Sequence, residues 1–261
     1  MIRRNGPPAS GSIDASPSGD PRSVQAPATS GVPLEVVPAP AVPDPAELYA
    51  ELAAHTPTRR HPDVALRLLD VLIAGSALIV LSPALTLGAL AIRLSSGRPV
   101  LYRGLRVGRY GRTFTMYKFR TLRPGAELRL GGAYGPELSA LTEREVTAVG
   151  RWLRASQVDE MPQLWNVVRG DMSIVGPRPV RPAFFAELAD QLPAYWQRLV
   201  VRPGLSGFAQ TRMTREVPWA EKLAHDLEYI ADRSVRLYLR VVMATAWRIM
   251  RQSAHELRHL R

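Results

Sequence analysis

The chain has 261 residues, a formal net charge of +11 and no cysteine. That length fits one domain with an appendage, and the absence of thiols excludes disulfides and thiolate metal sites. The first 60 residues hold five Arg against six acidic residues, so the remainder carries +12. Such an excess suits an anionic partner: a phosphate, a lipid headgroup or a nucleic acid. Arg outnumbers Lys 32 to 2, a bias for which codon usage is the plainest account. Met1 to Gly6 is basic but leads into no apolar segment, so nothing reads as a secretion signal.

Residues 1–60 contain 11 of the 23 Pro, with many Ala, Ser and Gly. Such a composition cannot offset its ordering entropy, and the segment reads as a disordered tail with one short helix at Ala46–His55. Val71 to Ile92 is an uncharged run of 22 residues bounded by Asp70 and Arg93, long enough to span a hydrocarbon core. Ser82-Pro83 falls at its centre, where Pro removes a helix hydrogen bond and bends the chain. Arg59, Arg60 and Arg67 precede it, and Arg93, Arg98, Arg103, Arg106, Arg109 and Arg112 follow, so the flanking charges set no crossing direction. A kinked transmembrane helix and a re-entrant one, entering and leaving by the same face, are about equally compatible with these facts. In either case the Ser82 hydroxyl can satisfy a carbonyl freed by Pro83.

Pro99–Arg103 and Thr113–Thr121 read as short strands, with Gly104, Gly108 and Gly111 marking the turn. Period two puts Lys118 and Arg120 on one face, a pair able to hold a phosphate, although a solvated strand edge is the more common use of such a pair. Gly125 to Leu141 reads as loop, and helical patterns resume from Glu143. Phe184–Leu192 and Pro218–Arg233 read as helices. Leu237–Met250 is a largely apolar helix punctuated by Arg236, Arg240, Arg248 and Arg251, suited to the membrane interface or to packing on the core. The five His are scattered, and no metal-binding cluster, P-loop or dinucleotide fingerprint is present.

Asp159-Glu160-Met161-Pro162 carries the chemistry. Ser156-Gln157-Val158-Asp159 matches a capping box, a purely structural use of Asp159. Pro162 would then break the ladder at the sixth helical position. With Asp159 itself as N-cap, Pro162 becomes the third helical residue, where its missing N–H costs little. Asp159 would then sit at a positive helix end that favours its ionised form and a phosphate beside it. A carboxylate in that setting can serve as a covalent nucleophile. Glu160 points to another helix face and has a different task. Gly176-Pro177-Arg178-Pro179 holds Arg178 on a stiff segment, preorganised to grip a diphosphate. Arg202 to Gln210, with Gly204 and Gly207, is a second stretch able to bring backbone close to a ligand.

These segments occur in order: Lys118-Phe119-Arg120-Thr121, Leu153-Arg154-Ala155-Ser156-Gln157-Val158-Asp159-Glu160-Met161-Pro162-Gln163-Leu164, Gly170 to Pro179, and Pro203-Gly204-Leu205-Ser206-Gly207. Together they resemble the bacterial sugar transferases, monotopic phosphoglycosyl transferases, from about Asp63 to Ile249. The resemblance implies transfer of a sugar 1-phosphate from a UDP-sugar to a polyprenyl phosphate, with Mg2+ and release of UMP. It implies Asp159 as nucleophile and Mg2+ ligand and Glu160 as its partner. Arg154 matches the family's phosphate-binding Arg, Pro177-Arg178-Pro179 its nucleotide region, and Ser82-Pro83 the break of its re-entrant helix. There are departures. Gly104 stands where a polar residue is common, Thr211–Arg215 lacks the usual Gly-Arg spacing, and Arg233 and Tyr238 replace a usual Trp and Asp.

The expected fold is helix-dominated α+β: a tail (1–60), a re-entrant membrane helix (61–95), a catalytic domain with short strands and interfacial amphipathic helices on the cytoplasmic face of the inner membrane (96–252), and a basic tail (253–261). Expected substrate-binding residues are Lys118, Arg120, Arg154, Pro177, Arg178 and Pro179. Expected partners are a UDP-sugar, polyprenyl phosphate and the bilayer, with a homodimer left open and no nucleic acid. A non-catalytic, basic membrane-surface scaffold for polysaccharide assembly is the rival reading, and turnover with UDP-sugars separates the two.

Overall fold

The computed structural model describes residues 63–126, 129, 135–212 and 217–259. The N-terminal tail and the helix expected at Ala46–His55 lie outside these residues. Helix α1 runs from Asp63 to Ser96, 34 residues, well beyond the uncharged run at each end. Among the described residues it is the one helix long and apolar enough to cross a membrane. The helix continues through Pro83, which has no N–H to offer the Ile79 carbonyl. The Ser82 hydroxyl donates to that carbonyl at 2.8 Å, as the sequence led us to expect. Thr86 Oγ1 donates to the Ser82 carbonyl at 2.9 Å, a second back-bond of the kind that bends helices.

α1 buries two separate stripes, Leu66, Asp70 and Ala74 in its first half and Gly88 and Ile92 in its second. Each follows the spacing of one helix face. The first stripe joins a core of Val167, Met172, Ile174 and Tyr238. The second packs with Phe119 and Leu153. Between them Ser82, Pro83 and Ala84 are exposed, so the halves dock on the domain and the middle stands clear. Val64, Leu68, Leu72, Ile79, Val80, Leu87, Leu90 and Leu94 are exposed along the same helix. A contiguous apolar surface of this kind marks an interaction site.

Strands β1 (Leu101–Val107) and β2 (Thr113–Phe119) form an antiparallel hairpin from Leu101↔Phe119 to Val107↔Thr113. Gly104, expected in the turn, instead sits in mid-strand opposite Met116. The connection is a 3₁₀ turn at Arg109–Gly111, in which Tyr110 and Gly111 take positive φ. Helix α2 (Gly135–Glu145) replaces part of the expected loop. Helix α3 (Ala148–Ala155), a 3₁₀ turn (Val158–Glu160) and helix α4 (Gln163–Arg169) follow. The buried Asn166 of α4 reads the open edge of β2, accepting from Tyr117 N–H at 3.1 Å and donating to the Thr115 carbonyl at 2.7 Å. This fixes the hairpin against the 159–160 turn.

Two short strands that were not expected, β3 (Ser173–Val175) and β4 (Gly204–Ser206), pair in parallel. A Cβ on Gly204 would fall 2.1 Å from Gly176 N, so this glycine serves the close approach of two chain segments rather than of a ligand. Helices α5 (Pro182–Gln191), α6 (Phe208–Arg212) and α7 (Trp219–Ala231) complete the domain with a 3₁₀ segment at Tyr195–Val200. Helix α8 (Val235–His259) extends well into the segment expected to be a tail. One face of it packs on the core, through Tyr238 and Val241, whereas Leu239, Met243, Trp247 and Met250 are exposed.

Asp70 does more than bound the apolar run. Only 2% exposed, it accepts from Ser173 Oγ at 2.9 Å, Ile174 N–H at 2.8 Å and Tyr238 O–H at 2.8 Å. One carboxylate thus joins α1, β3 and α8. Asp70→Leu strands three donors and should cost on the order of 3–5 kcal/mol, lowering the unfolding midpoint of the detergent-solubilised protein. Asp70→Asn keeps an acceptor and should cost less. Wild-type melting of Asp70→Leu would remove Asp70 from this role.

Candidate active site

The reversal between α3 and α4 creates the site. Ser156 ends α3, its hydroxyl donating back to the Trp152 carbonyl at 2.9 Å, so it is a C-cap and not the start of a capping box. Gln157 turns the chain with φ 56°, a left-handed conformation uncommon for a side chain with a Cβ. Asp159 and Glu160 then lie in the 3₁₀ turn, and Pro162 occupies the position before α4. The expectation that Asp159 caps α4 is therefore corrected. Pro162 itself takes the cap position of α4, with helical φ −58° and ψ −19°, and sits where a missing N–H is harmless.

Cations from three elements converge on this turn. Lys118, near the end of β2, places Nζ 2.5 Å from Glu160 Oε1. Arg178 places a guanidinium nitrogen 3.2 Å from the same oxygen. Arg154, in the last turn of α3, is steered by its Nε donating to Thr121 Oγ1 at 2.9 Å. Arg120 does not join them. Its guanidinium donates to the Ser96 and Gly97 carbonyls at 2.6 and 3.0 Å, closing the C-terminus of α1. Period two fails here because Arg120 lies just beyond the last strand residue, Phe119. Ser82 and Pro83 belong to α1 and stand apart from this cluster.

The Pro177-Arg178-Pro179 segment is held by its main chain. The Pro177 carbonyl accepts from Gly204 N–H at 2.9 Å and the Val180 carbonyl from Val107 N–H at 3.0 Å. The Arg178 carbonyl accepts from Arg198 at 2.8 Å, while the Arg178 side chain stays 51% exposed. Arg198 lies in the 195–200 segment and pairs with Asp226 of α7 at 2.9 Å. Neither residue belongs to a segment that sequence reading marked for chemistry.

The two neighbouring carboxyls have opposite electrostatic settings. Burial, then the charge of Glu160, raises Asp159, and Lys118 and Arg154 offset only part of this, leaving it pushed up to about 6. Asp159 does not cap α4, so the helix-end stabilisation expected for it does not arise. Burial also pushes Glu160 up, but the charges and hydrogen bonds of Arg178 and Lys118 outweigh it and hold Glu160 at about 2. Lys118 is lowered, by burial first, with the Glu160 charge opposing. A carboxyl pair split in this way can divide tasks between its members: Glu160 is a fixed anion that holds two cations, whereas Asp159, in no ion pair among the described residues, becomes a carboxylate only above about pH 6. Among the described residues no group of three His, Asp or Glu forms a metal cage.

The structure thus sets an acidic pair among cations on a domain that carries one long apolar helix docked near both of its ends. The description of the bacterial sugar transferases matches residues 62–252, and the chain belongs to that family. It is 38% identical over 190 residues to a UDP-glucose:undecaprenyl-phosphate glucose-1-phosphate transferase of Caulobacter vibrioides, covering 70% of this chain and 68% of that protein. It is 35% identical over 180 residues to a UDP-N-acetylgalactosamine-undecaprenyl-phosphate N-acetylgalactosaminephosphotransferase of Aeromonas hydrophila, covering 68% of this chain but 41% of that one. An exopolysaccharide production protein of Rhizobium leguminosarum is 35% identical over 187 residues, 69% of this chain and 92% of its own.

The split between the carboxyls can be read directly. In carbon-13 NMR of Asp- and Glu-labelled protein, the pair should titrate with one midpoint near 6 and one near 2. Lys118→Met removes a cation from both carboxylates, so both midpoints should rise. An Asp159 midpoint in the ordinary aspartate range would show that burial does not govern it.

Proposed function

We propose that this protein transfers a sugar 1-phosphate from a UDP-sugar to polyprenyl phosphate, undecaprenyl phosphate in bacteria, giving polyprenyl-diphosphate-sugar and UMP. The observation that carries the reading is the half-buried Asp159, in no ion pair among the described residues, beside a Glu160 that is itself locked by Lys118 and Arg178. An Asp159 oxygen attacks the donor's β-phosphorus. The bond from that phosphorus to the bridging oxygen breaks, and UMP leaves with both electrons of the bond. The sugar phosphate remains on Asp159 as an acyl phosphate. An oxygen of the lipid phosphate then attacks the same phosphorus and frees the Asp159 carboxylate. Capture on a side chain divides one difficult displacement into two easier ones. Glu160, ionised down to about pH 2, has no proton to give near neutrality, so its task is to orient Lys118 and Arg178. Arg154, Lys118 and Arg178 bind the donor's phosphates, Pro177 and Pro179 hold Arg178 in place, and Arg120 closes α1.

Mg2+ belongs to this reading. The ion keeps few protein carboxylates and completes its shell with phosphate oxygens and water. The pair at Asp159–Glu160, with no third metal-ligating side chain grouped with it among the described residues, fits an ion held largely by the donor. Bound there, it supplies charge neutralisation at the diphosphate.

The site lies on the cytoplasmic face of the inner membrane, with α1 re-entrant. Both ends of α1 are tied to the same domain, Asp63 to Arg109 and Arg233, and the Ser96 carbonyl to Arg120. A straight helix of this length is about 50 Å long and would carry one end across the bilayer, away from its partners. The exposed stripe of α8, with Trp247 and Met243, lies at the headgroup level. The product feeds synthesis of a surface glycan such as an exopolysaccharide, O-antigen or capsule.

Two experiments test this. Purified protein with Mg2+ and a panel of UDP-sugars, without lipid, should release UMP at most stoichiometrically from one donor and gain the mass of its sugar phosphate. Asp159→Asn should do neither while remaining folded. Turnover with lipid but no adduct and no lipid-independent UMP would reject the covalent step. Separately, single cysteines at Thr58 and Gly97 should both be labelled from the cytoplasmic side, and labelling from opposite sides would reject the re-entrant course.

A further inference from the structure

Behind Pro177-Arg178-Pro179 lies a charged network that the chemistry above does not use. Arg198 is 4% exposed at its side chain and Asp226 8%. One guanidinium nitrogen of Arg198 donates both to Asp226 Oδ2 at 2.9 Å and to the Arg178 carbonyl at 2.8 Å. The other terminal nitrogen donates to the Tyr195 hydroxyl, and the Arg198 guanidinium also stands 4.7 Å over the Tyr195 ring. Arg198 Nε is buried without a hydrogen-bond partner.

A buried ion pair is a poor means of stabilisation: desolvation consumes most of its Coulomb energy, and apolar residues of similar volume often do as well. An orphaned Nε adds to that cost. What an apolar pair cannot do is aim a donor at a particular carbonyl. Here the target is the main chain of the residue whose side chain reaches Glu160. The neighbouring Pro177 and Val180 carbonyls are already held by Gly204 and Val107 N–H groups. Arg178 is thus restrained at its own peptide group, while its side chain stays half exposed beside Glu160.

We infer that Arg198, oriented by Asp226 and Tyr195, is a positioning residue for donor binding, which fixes the Arg178 backbone so that its guanidinium is presented to the donor's diphosphate. The inference rests on the reading of Arg178 as a phosphate ligand and extends that site to α7 and the 195–200 segment. It predicts that Arg198 affects the nucleotide through Arg178 alone.

The test is a double-mutant cycle on the full-length protein in detergent with Mg2+, using UDP as the probe and calorimetry as the readout. Arg198→Lys keeps the charge but cannot serve the Arg178 carbonyl, Asp226 and Tyr195 together. Arg178→Ala should weaken UDP about tenfold, Arg198→Lys about fivefold, and the double variant no more than Arg178→Ala alone, since coupled residues are not additive. UDP affinity like wild type in Arg198→Lys, with Arg178→Ala impaired, overturns the positioning role while leaving the donor reading intact. Losses that multiply in the double variant also overturn it, because a general structural defect adds to any other loss. Wild-type UDP affinity in Arg178→Ala removes Arg178 from the donor site and takes the inference with it. If Arg198→Lys fails to fold, Asp226→Asn keeps shape and an acceptor oxygen, and its cycle with Arg178→Ala should show the same lack of additivity.

Discussion

The carboxylate of Asp70 takes hydrogen bonds from Ser173, Ile174 and Tyr238, and through them joins three parts of the chain. Apolar contact alone would let α1 slide or rotate on its bed, since hydrophobic attraction has no direction. A buried anion has direction: it must meet its donors or bear a large desolvation cost. Arg67 adds to the fixture by donating to the Val167 and Val168 carbonyls at the end of α4, at 2.5 and 2.7 Å. The long apolar helix is thereby registered against α4, and α4 begins three residues after the Val158–Glu160 turn, so the place of Asp159 relative to that helix follows from this register.

Within the site the same logic operates at shorter range. Lys118 and Arg178 both contact Glu160 Oε1, so Glu160 holds two cations, while the half-buried Asp159 has the Glu160 charge beside it and only partial relief from Lys118 and Arg154. An enzyme that needs a reactive carboxylate has to keep it from a stable ion pair. Placing the better-paired acid next to it in sequence does so without further residues. The cost is an unfavourable charge at Asp159, the kind of local conflict that proteins tolerate where function needs it.

Much of this could be read from the sequence. The hairpin and the Ser82 back-bond follow from short-range rules: strand alternation and proline's missing donor. The misreadings arose where two local rules competed or where a contact spans a long sequence separation. Ser156-Gln157-Val158-Asp159 satisfies a capping pattern, but Pro162 and the left-handed Gln157 direct the chain into a 3₁₀ turn instead. Arg120 obeys strand alternation on paper, yet the strand ends one residue earlier and the open end of α1 draws its side chain away. Tyr238, seen only as a departure from the family pattern, became a ligand of Asp70 because their separation of 168 residues carries no local signal. β3 and β4, three residues each, are too short to announce themselves by period.

The scarcity of lysine has a consequence at the dyad. Of two lysines in the chain, one is Lys118. Guanidinium groups keep their charge under all physiological conditions, so of the cations in contact with Glu160 only Lys118 can lose its charge, and the same burial that lowers its pKa favours the free, nucleophilic amine. Acylation at that single nitrogen would take away one of the two partners of Glu160 and leave the arginine framework untouched. In a protein whose basic side chains are almost all arginine, covalent chemistry directed at amines meets few targets, and one of them is the hinge of the site's charge balance.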